Sequence, residues 1–304
     1  MRGGRSPVAR HPDDKGETRV NGAIITAALT GGFGTKEQIP NLPVTPKEIA
    51  ESARECYQAG AAVVHVHLRD DQGRATADLD IASRTVAAIR EECPEVIINL
   101  STGVSTTVPF EERMRLVEMK TPIMSFDICS MTFGSDSELR NPPKLVRKQA
   151  ARMLELGIKP ELELFDLGHL HYALQLLSEG LLVEPLLVSF VFGKMGGMPA
   201  DVGVLASLVR ELPSGTAWQV IAVGKHHTPM TTIGLAMGGN ARTGFEDTRM
   251  IERGRPATSN GELIQRMVQI TRLLHRESMA ASDVPEALGL NEDLVSVACP
   301  RSSG

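Results

Sequence analysis

Two histidines one residue apart, in GAAVVHVHLRD (60–70), are the first feature with chemical content. His65 and His67 end a run of β-branched apolar residues. Residues i and i+2 of a strand share a face, so the two imidazoles project together. Neutral imidazoles paired at a strand end suit a divalent transition metal. Hydrogen-bonded histidines in a polar interior are the plainer alternative. For Arg69 and Asp70, which follow directly, the expectation is a local ion pair.

A catalytic zinc site takes a third protein ligand and keeps an open position. GGNARTGFEDT (238–248) offers Glu246 and Asp247, with Arg242 just upstream. Gly238 and Gly239 would let backbone pass close to a ligand. A carboxylate here would complete a His-His-carboxylate set; the competing reading is a helix N-terminus whose acids complement the dipole. In PELELFDLGHLH (160–171), Glu161 and Glu163 alternate with leucines and share one face of a strand. Buried carboxylates are costly unless they meet a metal, an arginine or a cationic substrate. His169 and His171 fall on an expected helix, where a spacing of two does not align them.

Weaker signals complete the set. Ser101, in NLSTGVS (99–105), offers a hydroxyl to an oxyanion or to a helix cap. GKMGGMP and VGKHHTPMTT place Lys194 and Lys225 on late loops that could meet ligand phosphates. Neither is a P-loop, and solvated loops are the plainer reading.

Such groups must be gathered by a scaffold that brings strand ends together. Apolar runs predict strands over 23–29, 62–68, 95–101, 122–128, 159–165, 185–192, 217–223 and 231–239. Helices are predicted over 45–59, 78–92, 109–119, 142–156, 169–179, 199–212 and 259–278. The first carries an N-cap at Thr45, Pro46 at its first position, Glu48 three residues after the cap and Gly60 as a stop. Continuous apolar strands alternating with helices imply a parallel sheet buried on both faces. Eight such units fit an α/β (β/α)8 TIM barrel, whose active sites lie at the C-terminal strand ends. No GxGxxG follows the first strand, which argues against a dinucleotide-binding sheet.

Composition narrows the classes. The 304 residues are 42% hydrophobic and 23% charged, ordinary for a globular chain. A net charge of −5 argues against nucleic-acid binding as the main function. No apolar run approaches the roughly 18 residues of a spanning helix, so no membrane partner is expected. Residues 1–20 are polar, lack a signal-peptide core and are expected to be a mobile tail, leaving 21–304 as one barrel domain. Cys56, Cys93, Cys129 and Cys299 are scattered without a CxxC pair, as expected for reduced thiols in a cytoplasm.

In order, ITAALTGG, TKEQIPNLPVTPKEIA, GAAVVHVHLRD, NLSTG, PELELFDLGHL and GG-x-A-R-T-G-x-E-D run from about residue 22 to about 290. This series resembles the β-keto acid cleavage enzymes, a family that includes the 3-keto-5-aminohexanoate cleavage enzymes. The resemblance implies a (β/α)8 barrel, one Zn2+ per chain and a homo-oligomer (dimer or tetramer). It also implies the reaction: a β-keto acid and acetyl-CoA give acetoacetate and a new acyl-CoA. His65, His67 and Glu246 would be the metal ligands, Asp247 the acid-base residue and Arg242 its orienting partner. An adjacent arginine would lower the Asp247 pKa and make it a modest base. Ser101 and Ser125 would bind substrate, Ser125 standing where a threonine also occurs, and one of Glu161 and Glu163 would line the pocket. Lys194 and Lys225 are the candidates for the phosphates of CoA. Where 3-keto-5-aminohexanoate enzymes carry an acid after TGG, this chain has Phe33, which points to an uncharged or apolar substrate side chain. The alternatives are a CoA-independent metal-dependent retro-aldolase, an amidohydrolase-like hydrolase, and a metal-binding barrel without catalysis. Dependence on acetyl-CoA separates them.

Overall fold

In the computed structural model, which describes residues 22–296, seven expected strands form within the apolar runs. They are β1 Ile25–Ala28, β2 Val63–Val66, β3 Ile97–Ser101, β4 Ile123–Phe126, β5 Lys159–Leu164, β6 Leu187–Phe192 and β7 Ala217–Ala222. With β8, Asn240–Thr243, they close into a parallel barrel in sequential order, β8 pairing with β1. The expected tail over 1–20 and Cys299 lie outside the described residues.

Helices follow the strands: α1 Pro46–Gln58, α2 Leu79–Glu92, α3 Phe110–Arg113, α4 Pro143–Glu155, α5 Leu167–Ser178, α6 Val202–Arg210, α7 His227–Ala236 and α8 Asn260–Leu273. The α1 start is as expected: the Thr45 side chain accepts from the Glu48 amide, and Glu48 accepts from the Thr45 amide. Gly60, at φ +109°, follows the helix end. Beyond α3 the chain tightens into a 3-10 helix, Met114–Met119.

Two expectations are corrected. The run 231–239 is not the eighth strand; most of it is the second half of α7, and β8 begins only at Asn240. An apolar run of this length does not by itself distinguish strand from helix. Packing on β7 decides it: a Cβ on Gly234 would lie 2.7 Å from Val220 Cγ2, and one on Gly239 would lie 2.5 Å from the Trp218 ring. Arg242 therefore stands in a barrel strand rather than in a loop after one. The last long helix also stops early. His275 takes φ +56°, and Glu277–Ser278 pair in parallel with Gly22–Ala23.

Strand residues sort by parity. Leu100, Phe126, Leu162, Leu164, Val188, Phe190 and Val220 belong to the apolar layer under the helices. Inside the barrel, Ile24, Val63, Ile97, Ile123 and Leu187 pack against Met279, Ala281, Val284 and Leu288 of the C-terminal segment. That plug seals the N-terminal end, and the site lies toward the C-terminal strand ends. No helix among the described residues is long and apolar enough to cross a membrane.

Candidate metal and active site

His65 pairs opposite Asn99 of β3 near the end of β2, and His67 follows just past the strand on the same face. Their ring centroids are 5.2 Å apart. After β8 the chain turns at Gly244, where a Cβ would lie 2.0 Å from the Ala28 carbonyl oxygen. This turn, rather than a helix N-terminus, carries Glu246 and Asp247 back over the barrel mouth. Glu246 Oε1 lies 3.4 Å from His67 Nε2, and Oε2 lies 3.5 Å from His65 Nε2.

The trio fits a divalent metal ion. One ligand atom from each of His65, His67 and Glu246 lies within 4.8 Å of the others. Both ring nitrogens of His65 and Oε2 of Glu246 are buried without a hydrogen-bond partner among the described residues. Orphaned buried polar atoms are costly, and an ion held between His65 Nε2 and Glu246 Oε2, 3.5 Å apart, would relieve both. His67 Nδ1 lies 3.3 Å from the Val104 carbonyl, which favours the tautomer that frees Nε2. Burial, helped by the Arg242 charge, holds the His65 pKa well below its ordinary value and leaves a neutral ring. For Glu246 burial pushes the other way, but Arg242 and the two imidazoles hold its pKa well below the usual range. Two imidazole nitrogens and a carboxylate are an ordinary zinc donor set.

Beside the trio, Arg242 lies buried at the centre of three carboxylates. It donates to Asp247 Oδ2 at 3.0 Å and Oδ1 at 3.1 Å, to Glu163 Oε1 at 3.1 Å and to Glu246 Oε1 at 2.6 Å. The expected low pKa of Asp247 is corrected here: burial outweighs Arg242, and with Glu246 adjacent the carboxyl is pushed up to about 6. Glu163 is likewise raised well above its usual value by burial, against the pull of Arg242. Asp247 is thus a titratable group near neutrality, held in one orientation by a two-point guanidinium contact.

A family model described as beta-keto acid cleavage enzyme matches residues 22–290. The chain belongs to the β-keto acid cleavage enzyme family. A 3-keto-5-aminohexanoate cleavage enzyme of Fusobacterium nucleatum is 36% identical over 269 residues, covering 88% of this chain and 98% of the relative. A 3-dehydrocarnitine:acetyl-CoA trimethylamine transferase of Rhizobium meliloti is 32% identical, covering 88% and 97%. The solved apo structure of ObcA superposes with a TM-score of 0.71 at 20% identity over 83% of this chain and 66% of that one, a likeness of fold.

The other predicted site residues of this β-keto acid cleavage enzyme family member separate by depth. Ser101, Glu163, Phe33 and Lys194 line the cavity that holds His67, Arg242, Glu246 and Asp247. Ser125 lies behind Ser101, its Oγ 3.4 Å from the Ser101 Oγ. The pair of strand-five glutamates resolves by register. Glu163 opens on the cavity, whereas Glu161 lies beneath, accepting from Asn99, Ser189 and Gln219 and lying 3.9 Å from His65 Nδ1. Lys225 is not brought to the site; it is exposed in the turn before α7. His169 Nδ1 accepts from the Phe165 amide at 3.3 Å. Arg69 does not pair with Asp70: it donates to the carbonyls of Gly31 and Gly73, while Asp70 pairs with Arg74 at 2.8 Å. Arg69 thereby ties the TGG loop to the strand that carries the histidines.

Asp127 was not singled out from the sequence, yet it lines the cavity. It follows β4 and is buried with Oδ1 unpartnered; burial, against Arg113 and His67, raises its pKa to about 6. A lone aspartate after a strand carries no local signal, and only the parity shared with Ser125 pointed inward.

Proposed function

We propose that the chain exchanges acyl groups between a β-keto acid and acetyl-CoA, giving acetoacetate and a new acyl-CoA, on a single catalytic barrel. The observation that carries this reading is the His65–His67–Glu246 trio, with His65 and Glu246 Oε2 left unpartnered, beside the Arg242–Asp247 pair; His67, Glu246, Arg242 and Asp247 line one cavity at the C-terminal end of the barrel. The exchange breaks the C2–C3 bond of the keto acid and the thioester bond of acetyl-CoA. The acetyl group joins C2, and the thiolate takes the released acyl group. A divalent metal ion held by His65, His67 and Glu246, assigned as zinc, would polarise the 3-keto group and acidify C2.

Asp247 takes the proton at C2 and returns it to that carbon as acetoacetate is released, and its raised pKa keeps base strength and protonation state balanced near neutral pH. Arg242 keeps the Asp247 carboxylate aimed, compensates the buried negative charge of Glu246 and holds Glu163 by a hydrogen bond. Ser101 presents its hydroxyl to the substrate carboxylate, positioned from behind by Ser125. The three described cysteines are free, which fits a reducing cytoplasm. A homo-oligomer, dimer or tetramer, belongs to the same proposal, and its mass in solution by light scattering tests that part.

The deciding experiment follows acetoacetate from a panel of β-keto acids with and without acetyl-CoA. Turnover that requires acetyl-CoA and yields one acyl-CoA per acetoacetate supports the exchange. Turnover indifferent to acetyl-CoA would replace it with a retro-aldolase or hydrolase, and no turnover of any β-keto acid would remove it.

A further inference from the structure

The wall of the cavity away from the metal trio is aromatic and aliphatic. The Phe33 and Phe133 rings stack at 5.6 Å, and Phe133 meets Phe165 edge-on at 6.0 Å. Phe165 packs with Val191 and Ile221. Onto this wall comes one cation. Lys194 Nζ lies 4.2 Å from the Phe133 centroid and 5.1 Å from that of Phe33. Among the described residues it makes no hydrogen bond and no ion pair, although its ammonium carries three donors. The acids of the same cavity, Glu163, Glu246 and Asp247, are already taken by Arg242.

We infer that Lys194 selects the far end of the keto acid: the substrate carries a hydrocarbon stem that lies on the Phe33–Phe133 wall and ends in an anionic group, a carboxylate, that meets the Lys194 ammonium. Ring faces attract the cation but leave its N–H donors unspent, so a carboxylate adds charge-assisted hydrogen bonds that no residue supplies. Burial lowers the Lys194 pKa, opposed only by Glu246, Asp247 and Glu163, so an anion beside it relieves a cost already present. A cationic far end would meet like charge at the same place. This rests on the proposed function and departs from the uncharged side chain expected from Phe33: the stem is apolar, but its end is charged.

The test compares β-keto acids of matched length ending in a carboxylate, a methyl or an ammonium, in wild type, Lys194→Met and Lys194→Glu. Lys194→Met keeps an unbranched stem and removes only the charge. Its kcat/KM for the carboxylate-ended acid should fall about ten-fold or more, the size of a charged hydrogen bond. The methyl-ended acid and the KM for acetyl-CoA should stay within about two-fold. Lys194→Glu should shift preference toward the ammonium-ended acid. A rise confined to the KM for acetyl-CoA would assign the ammonium to CoA phosphates and overturn the inference, as would equal losses on all three acids. Calorimetric binding of adipate against hexanoate gives a readout independent of turnover. Preference for adipate in wild type, lost in Lys194→Met, supports the subsite even if acetoacetate never forms, whereas equal binding refutes it.

Discussion

The carbonyl oxygen of Val104 lies 3.3 Å from Nδ1 of His67. Val104 itself takes φ +49°, a strained conformation for a β-branched residue. Gly32 makes the contact possible, since a Cβ there would lie 2.5 Å from that same oxygen. The TGG loop, the STG loop and the metal-facing histidine are therefore one mechanical unit.

Gly32→Ala tests that unit. The new methyl must displace the Val104 carbonyl, because the obstacle is backbone rather than a flexible side-chain end. Loss of an orienting partner to a ligand histidine weakens metal binding by about 10–100-fold. Titration against a competing chelator measures it; affinity within about two-fold of wild type would mean the carbonyl does not orient His67.

The metal itself should be visible in stability. Wild type should carry about one divalent ion per chain by elemental analysis, and a chelator should lower its Tm. His67→Ala should carry little metal and show no chelator shift. Equal metal content in both proteins would show that the ion, if any, sits elsewhere.

Asp247→Asn and Arg242→Met separate catalysis from support. Asn keeps the size and loses the proton-accepting oxygen, so kcat should fall about 10²–10⁴-fold with metal content unchanged. Arg242→Met leaves Glu163, Glu246 and Asp247 around an apolar stem, and breaking such a buried cluster costs about 3–5 kcal/mol. Denaturant unfolding should show the loss for Arg242→Met and little for Asp247→Asn.

His227 predicts the acid limb of stability. The residue is 3% exposed with Nε2 unpartnered, and burial, against a backbone hydrogen bond at Arg242, lowers its pKa to about 4. The unfolded chain takes a proton near pH 6.5 while the folded chain resists it. The contribution is full above pH 6.5 and drains as pH falls toward 4, by about 3 kcal/mol in total. Wild type and His227→Gln should therefore converge in stability as pH drops through that window. Parallel curves would show that His227 does not titrate on unfolding.

Local pattern alone placed seven barrel strands, the capped start of α1 and the family, because β-branched apolar runs and the Thr45–Glu48 cap are decided within a few residues. It also placed the imidazoles of His65 and His67 on one face, since strand parity is a local property. What lies between strands far apart in the chain was another matter. The end of α7 and the start of β8 depended on Gly234 and Gly239 fitting against Val220 and Trp218, which no run of letters exposes. The roles of Glu161 and Glu163 depended on barrel register, which sinks one beneath His65 and lifts the other to Arg242. Asp247 was expected to be acidic because of its arginine, yet burial won, and burial belongs to the closed barrel alone. The same closure brought Lys194 over two phenylalanines from distant loops, a meeting that spacing along the chain could not specify.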